Sequence, residues 1–86
     1  MAKISDLIDA GLINVGAKLT WKRRDRSNFS AEVQPDGKIK TENGQVHKTP
    51  SGAARKLVER PVDGWSVWRT SDGTTLSELR QKLKEV

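Results

Sequence analysis

The chain has no cysteine and no tyrosine, and its 86 residues include one phenylalanine, one histidine and three prolines. Each scarcity removes a class of function. Without cysteine there is neither a disulfide framework nor a thiolate metal site, and a single histidine leaves too few good ligands for a structural zinc. The longest apolar stretches fall far short of a bilayer span, and Asp6 and Asp9 interrupt the apolar pattern near the start, unlike a secretory signal. The expectation is a cytoplasmic protein with no cofactor and no metal. Its length suits one domain, residues 1–86, with a single core and no room for a second, catalytic unit.

What is abundant is charge. Sixteen Lys and Arg against eleven Asp and Glu give a formal net charge of +5, an excess that points to an anionic partner, nucleic acid first. Because both signs are interspersed along the chain, a merely well-solvated surface is the competing explanation.

The apolar pattern changes period along the chain. Ile4, Leu7, Ile8 and Leu12 recur at helical spacing, with Ser5 as a cap and Gly11 as a stop. After Gly16 the period becomes two: Leu19 and Trp21 alternate with Lys18, Thr20 and Lys22, then Phe29, Ala31 and Val33 alternate with Ser30, Glu32 and Gln34. Asp36-Gly37 and Asn43-Gly44 are hairpin signals that set off short strands around Ile39 and Val46. From Pro50 to Arg60 the spacing of Ala53, Ala54, Leu57 and Val58 is helical again, and Pro61 ends it. A strand is expected over residues 65–69. Thr75-x-x-Glu78 then reads as a capping box for a last helix that buries Leu76, Leu79 and Leu83. A one-faced sheet needs a cover, so the expected fold is a small α+β domain: an antiparallel meander of four to five short strands covered by two to three helices.

Three places carry chemistry. Lys22, Arg23, Arg24 and Arg26 fall at the tip of the first hairpin, shaped either for phosphates or simply for a soluble turn. Around the second helix start, Thr49 or Ser51 can cap while Pro50 sits where its missing N–H does no harm. Lys48 and Arg55 add positive charge to the positive end of the helix dipole, which makes a phosphate site. Third, Trp65 and Trp68 are an odd number of residues apart, so a regular strand sends them to opposite faces: one to the core, the other exposed as an indole for stacking on a base or packing a methyl group. Trp65 shares parity with Val67 and is the core candidate on that ground. Trp21 pairs with Leu19 as core, Asp63-Gly64 reads as a turn, and His47 reads as a strand-end residue facing solvent. A hydrolase built from His47, Ser51 and Asp63 has no nucleophile elbow or oxyanion-hole motif around Ser51 to support it, and the acids are too scattered among bases for a metal-dependent nuclease.

Thr49-Pro50-Ser51-x-Ala53-Ala54 followed by Asp63-Gly64-Trp65-x-x-Trp68 resembles the RAMA domain, the restriction-enzyme and adenine-methylase-associated module. The opening Ile4 to Leu12 is similar to the helix that begins such domains. Two positions depart from the family pattern. Thr49 stands where Ser is usual and keeps a hydroxyl. Asp63 stands where Asn is usual and exchanges an amide, which donates and accepts, for a carboxylate that only accepts and is repelled by phosphate.

The resemblance implies a non-catalytic reader of modified DNA, notably of N6-methyladenine, that works with an attached or associated nuclease or methyltransferase. It also marks Trp65, the tryptophan after the glycine, as functionally important, against the parity reading that assigns it to the core. On this view the basic hairpin attracts phosphate, Lys48, Thr49, Ser51 and Arg55 fix register, and Trp65 with Asp63 or Trp68 discriminates. The rival is a protein–protein interaction module of a restriction or methyltransferase system, in which an exposed Trp68 docks a partner. RNA binding on the polar sheet face is weakened by the absence of an aromatic pair there.

Overall fold

Alternation along the first half of the chain becomes a sheet because each glycine-bearing turn lets the next strand fold back in register. The computed structural model describes residues 3–23 and 28–84. After helix α1 (Ile4–Asp9) come strands β1 (Lys18–Lys22), β2 (Asn28–Val33), β3 (Ile39–Thr41) and β4 (Val46–His47), then helices α2 (Pro50–Val58), α3 (Gly64–Val67) and α4 (Leu76–Lys84). The strands form one antiparallel sheet in the order β1-β2-β3-β4, with Leu19 opposite Ala31, Trp21 opposite Phe29 and Val33 opposite Ile39. The fold is the expected α+β meander. At the free edge of β1, residue Arg69 forms isolated bridges to Thr20 and to Thr75, so the chain between α3 and α4 is stitched to the sheet without making a full strand.

One sheet face is apolar, as the alternation requires. Leu19, Ala31, Val33 and Ile39 are buried beneath Ile4 and Leu7 of α1, Ala53 of α2, Trp65 of α3, Trp68, and Leu76 and Leu79 of α4. The other face carries Lys18, Glu32 and Lys40 in one cross-strand row, and Lys18 Nζ lies 3.2 Å from Glu32 Oε2. Of the two lysines in that row, Lys18 is therefore neutralised locally. Lys38 precedes β3 and pairs with Asp36 at 3.5 Å.

Local chemistry accounts for most boundaries. Thr49 caps α2, accepting the Gly52 N–H at 2.9 Å, with Pro50 in the first turn; Glu59, in the left-handed region at φ 55°, closes the helix. Asp36 and Asn43 each accept a backbone N–H from two residues on, Lys38 and Gln45 respectively, which holds the two hairpin turns. Thr75 Oγ1 caps α4 by accepting the Glu78 N–H at 3.1 Å. In α1 the helix begins one residue before Ser5: Lys3 is the N-cap, and the Asp6 carboxylate reaches back to the Lys3 N–H at 2.8 Å.

Two further expectations are overturned. Residues 64–67 are a short helix rather than the start of a strand, because Asp63 caps them: its carboxylate accepts the Trp65 N–H at 3.1 Å and the Ser66 hydroxyl at 2.9 Å, and the Trp68 N–H then closes onto Gly64 O at 3.1 Å. His47 does not face solvent freely. It lies opposite buried Ile39 on the core side of the sheet, half-buried, with its Nε2 sealed off and without a hydrogen-bond partner.

Gly37 and Gly44 both turn at positive φ, 85° and 86°, but only Gly37 is pressed against another element. A Cβ there would lie 2.9 Å from the Ser5 nitrogen at the start of α1, whereas one at Gly44 meets nothing within 4 Å. Gly44→Ala is expected to cost about 1–2 kcal/mol, the penalty of the left-handed conformation alone. Gly37→Ala should cost at least about 1 kcal/mol more, as overpacking does. Urea unfolding of the two variants measures the difference, and equal losses would show that α1 does not dock on the turn.

Candidate nucleic-acid interface

The two sequence blocks meet in space through backbone chemistry. Helix α2 begins with Pro50, whose carbonyl has a second lone pair beyond the one its own helix uses, and the fully buried Trp68 indole Nε1–H donates to that oxygen at 3.1 Å. Ser51 Oγ in turn accepts the Gly64 N–H at 3.0 Å. The backbones lie so close that a Cβ on Gly64 would overlap Pro50 C and O and Ser51 N, so no residue but glycine fits without separating α2 from α3. Thr49, Pro50, Ser51, Asp63, Gly64 and Trp68 thus form a latch. Within it Trp68 bonds to Pro50 and Gly64 to Ser51, while Thr49 and Asp63 cap the two helices that these bonds join.

This geometry changes the expected roles of the tryptophans. On a helical turn, residues three apart share a face rather than opposing one, and both rings go inward: Trp65 is 9% exposed and Trp68 0%. Trp68 is not the exposed indole that strand parity predicts. Trp65 reaches the rim of the core, where the Arg80 guanidinium of α4 lies 4.5 Å from its ring centroid and covers it. The half-exposed aromatics are instead Trp21 and Phe29, a cross-strand pair with ring centroids 5.4 Å apart. Alternation assigned Trp21 wholly to the core. Its place near the loop end of the hairpin leaves the ring only half-buried.

The basic hairpin and the latch are connected by this ring system. Arg23 lies 5.6 Å from the Trp21 centroid, and Trp21 meets Trp68 edge-on at 5.9 Å. Trp68 then bonds to Pro50. Lys22 is exposed at the end of β1, directly opposite Asn28. Arg24 and Arg26 lie outside the described residues.

At the start of α2, Lys48, Thr49 and Arg55 are exposed and Ser51 is half-buried. Few backbone donors remain there for an anion. Pro50 has none, the Gly52 N–H goes to Thr49 Oγ1 and the Ala53 N–H to Thr49 O, while the Ser51 N–H sits beneath the Gly64 backbone. What the helix start offers a phosphate is therefore its dipole and the Lys48 and Arg55 charges rather than a ring of free amides. Nor do His47, Ser51 and Asp63 form a relay, since Ser51 is bonded to Gly64, Asp63 to Trp65 and Ser66, and neither to His47. Arg69, Arg80 and Phe29 were not singled out by the sequence. Phe29 had a signal, its alternation register opposite Trp21, whereas the two arginines acquire their positions only through tertiary packing.

The latch makes an ordering of stabilities. Ser51→Ala leaves the part-buried Gly64 N–H without its partner, a loss of about 1–3 kcal/mol. Gly64→Ala forces backbone against backbone and should cost more than Ser51→Ala, toward the upper end of single-substitution effects at about 4 kcal/mol. Thermal or chemical unfolding ranks them, and a neutral Gly64→Ala would remove the latch from the account.

None of the helices among the described residues is long and apolar enough to cross a membrane. No curated protein matches the chain. The family model described as RAMA, Restriction Enzyme Adenine Methylase Associated, matches residues 1–85. With essentially its whole length matched, and with both sequence blocks built into one latch, the chain belongs to the RAMA family.

Proposed function

We propose that the protein is a non-catalytic DNA-binding module that reads modified DNA, such as DNA bearing N6-methyladenine, in a restriction–modification setting. The observation that carries this reading is the placement of a cation beside half-exposed aromatic rings at the β1–β2 hairpin: Arg23 lies against Trp21, which packs on Phe29, and Lys22 is exposed at the end of β1, in a chain of net charge +5. The family's association with adenine methylases supports the choice of ligand.

The roles divide along physical lines. Lys22 and Arg23, with Arg24 and Arg26 of the same segment, supply attraction to phosphate, and Lys48 and Arg55 reinforce it at the α2 start. Discrimination among bases falls to whatever apolar surface remains accessible. The burial of Trp68 and the Arg80 cover over Trp65 move that task toward Trp21 and Phe29. The Asp63 carboxylate serves α3 as its cap, a position where Asp and Asn perform equally well, so the departure from the family's Asn leaves the latch intact.

The protein-interaction reading relied on an exposed tryptophan at position 68. That residue is fully buried, which takes away its main ground.

Fluorescence anisotropy on a labelled duplex tests the proposal. With about four phosphates neutralised, log affinity should fall against log salt with a slope of roughly −3.6. Arg23→Glu with Arg24→Glu should flatten it. Burying one methyl group contributes about 0.8 kcal/mol, so N6-methyladenine in the duplex should tighten binding roughly fourfold. A slope near zero would refute DNA binding; a normal slope with no methyl preference would refute the reader but leave the binding.

A further inference from the structure

The solvent side of the sheet carries two cavities of different electrostatic character. The larger, about 370 Å³, is lined by Lys18 and Lys40 but also by Glu32 and Glu42, so its charges cancel. The smaller, about 260 Å³, lies where residue 69 joins the free edge of β1; its lining includes Lys22, Arg69, Thr20, Thr70 and Ser71 and has no carboxylate. Both cations are exposed, and neither has a carboxylate partner among the described residues.

Arg69 is held in a defined pose. Its backbone exchanges two hydrogen bonds with Thr20, each 2.9 Å, and its guanidinium donates to Gly73 O at 2.7 Å, which leaves the remaining N–H groups of the fork unused. The nearest acid in sequence, Asp72, is turned into its own loop: its carboxylate accepts from the Thr70 hydroxyl and from the Thr74 N–H at 3.1 Å. Those same bonds, the Thr70 hydroxyl first, hold its carboxyl below the ordinary aspartate range, so it is ionised and offsets one of the two positive charges. The balance at the cavity stays positive. Thr20 and Ser71 hydroxyls complete a set of donors with no competing acceptor charge in the lining.

We propose that this cavity receives a phosphate group, with Lys22 and Arg69 as its charge partners and Thr20 and Ser71 as neutral donors, and that the phosphate is a diester of the DNA backbone. The source of the phosphate rests on the DNA-binding reading above; the chemistry of the site does not. A backbone phosphate here would lie on the same hairpin as Arg23 and carry the duplex from the tip of β1 along its free edge. Neither Arg69 nor Ser71 belongs to the two sequence blocks that define the family resemblance.

The test is a titration of the isotope-labelled protein with a short duplex and, separately, with inorganic phosphate, following the amide signals of Thr70, Ser71 and Gly73, together with the salt dependence of duplex binding by Lys22→Gln/Arg69→Gln. The duplex should shift those amides, and the double variant should reduce the salt slope by about 1, the loss of one phosphate contact. Arg69→Lys, which keeps the charge, should retain the wild-type slope and shows that the fold tolerates change there. Duplex binding that leaves both the amides and the slope untouched overturns the proposal. If the duplex does not bind, the DNA reading fails on its own; shifts of the same amides by inorganic phosphate then uphold the site for a free phosphate monoester or ion, and silence with both ligands removes it.

Discussion

The Trp68 indole bonded to the Pro50 carbonyl is the contact on which the rest of the arrangement depends. A buried indole N–H without an acceptor costs free energy comparable to a lost hydrogen bond, and the first carbonyl of a helix, which keeps a lone pair beyond the one its own helix uses, is an available acceptor. Trp68 supplies the donor and, with the same ring, fills the space between the sheet and two helices. Because the indole reaches Pro50 only if α3 lies directly against α2, the requirement for glycine at 64 and for a hydroxyl at 51 follows from the same contact. The two sequence blocks are thus two halves of one structural device.

That device also shapes the surface. By drawing Trp68 inward it sets the ring against which Trp21 packs, and Trp21 in turn carries Arg23 on the hairpin. Arg23 is therefore tied to the core through aromatic contacts. On the solvent face of the sheet, Lys18 at the start of β1 is paired with Glu32, whereas Lys22 and Arg69, toward the other end of the β1 edge, have no carboxylate partner among the described residues. A duplex attracted by net charge would be guided to that edge. In the proposed function the latch contributes rigidity and position, and the cations and half-exposed rings contribute contact.

The sheet was legible because its signals are local. Asp36-Gly37 and Asn43-Gly44 each specify a turn within a few residues, and strict alternation over Lys18–Lys22 and again over Asn28–Val33 leaves one register that buries Leu19, Ala31 and Val33 together. Residues 64–68 were misread for an equally physical reason. Four helical residues give too short a window for periodicity, and Trp-Ser-Val-Trp suits a strand as well as a turn of helix. The decisive clue was Asp63 with Ser66 three residues on, an N-cap and its hydroxyl partner, and it reads as a turn unless the following carbonyls are known to close. His47 and Gly64 show the other limit. Burial of one and close backbone approach at the other are set by where α2 packs, which no local pattern encodes. Sequence placed Lys48, Thr49, Ser51 and Arg55 at a helix start as found, but the consumption of its amide donors appears only when α3 is brought against it.

Hydrogen exchange at the three tryptophan indole N–H groups, followed by proton NMR, tests the latch most directly. The account predicts that the Trp68 Nε1–H, fully buried and bonded to Pro50 O, exchanges only on global unfolding, far more slowly than that of half-exposed Trp21. Exchange of Trp68 at the rate of Trp21 would contradict it.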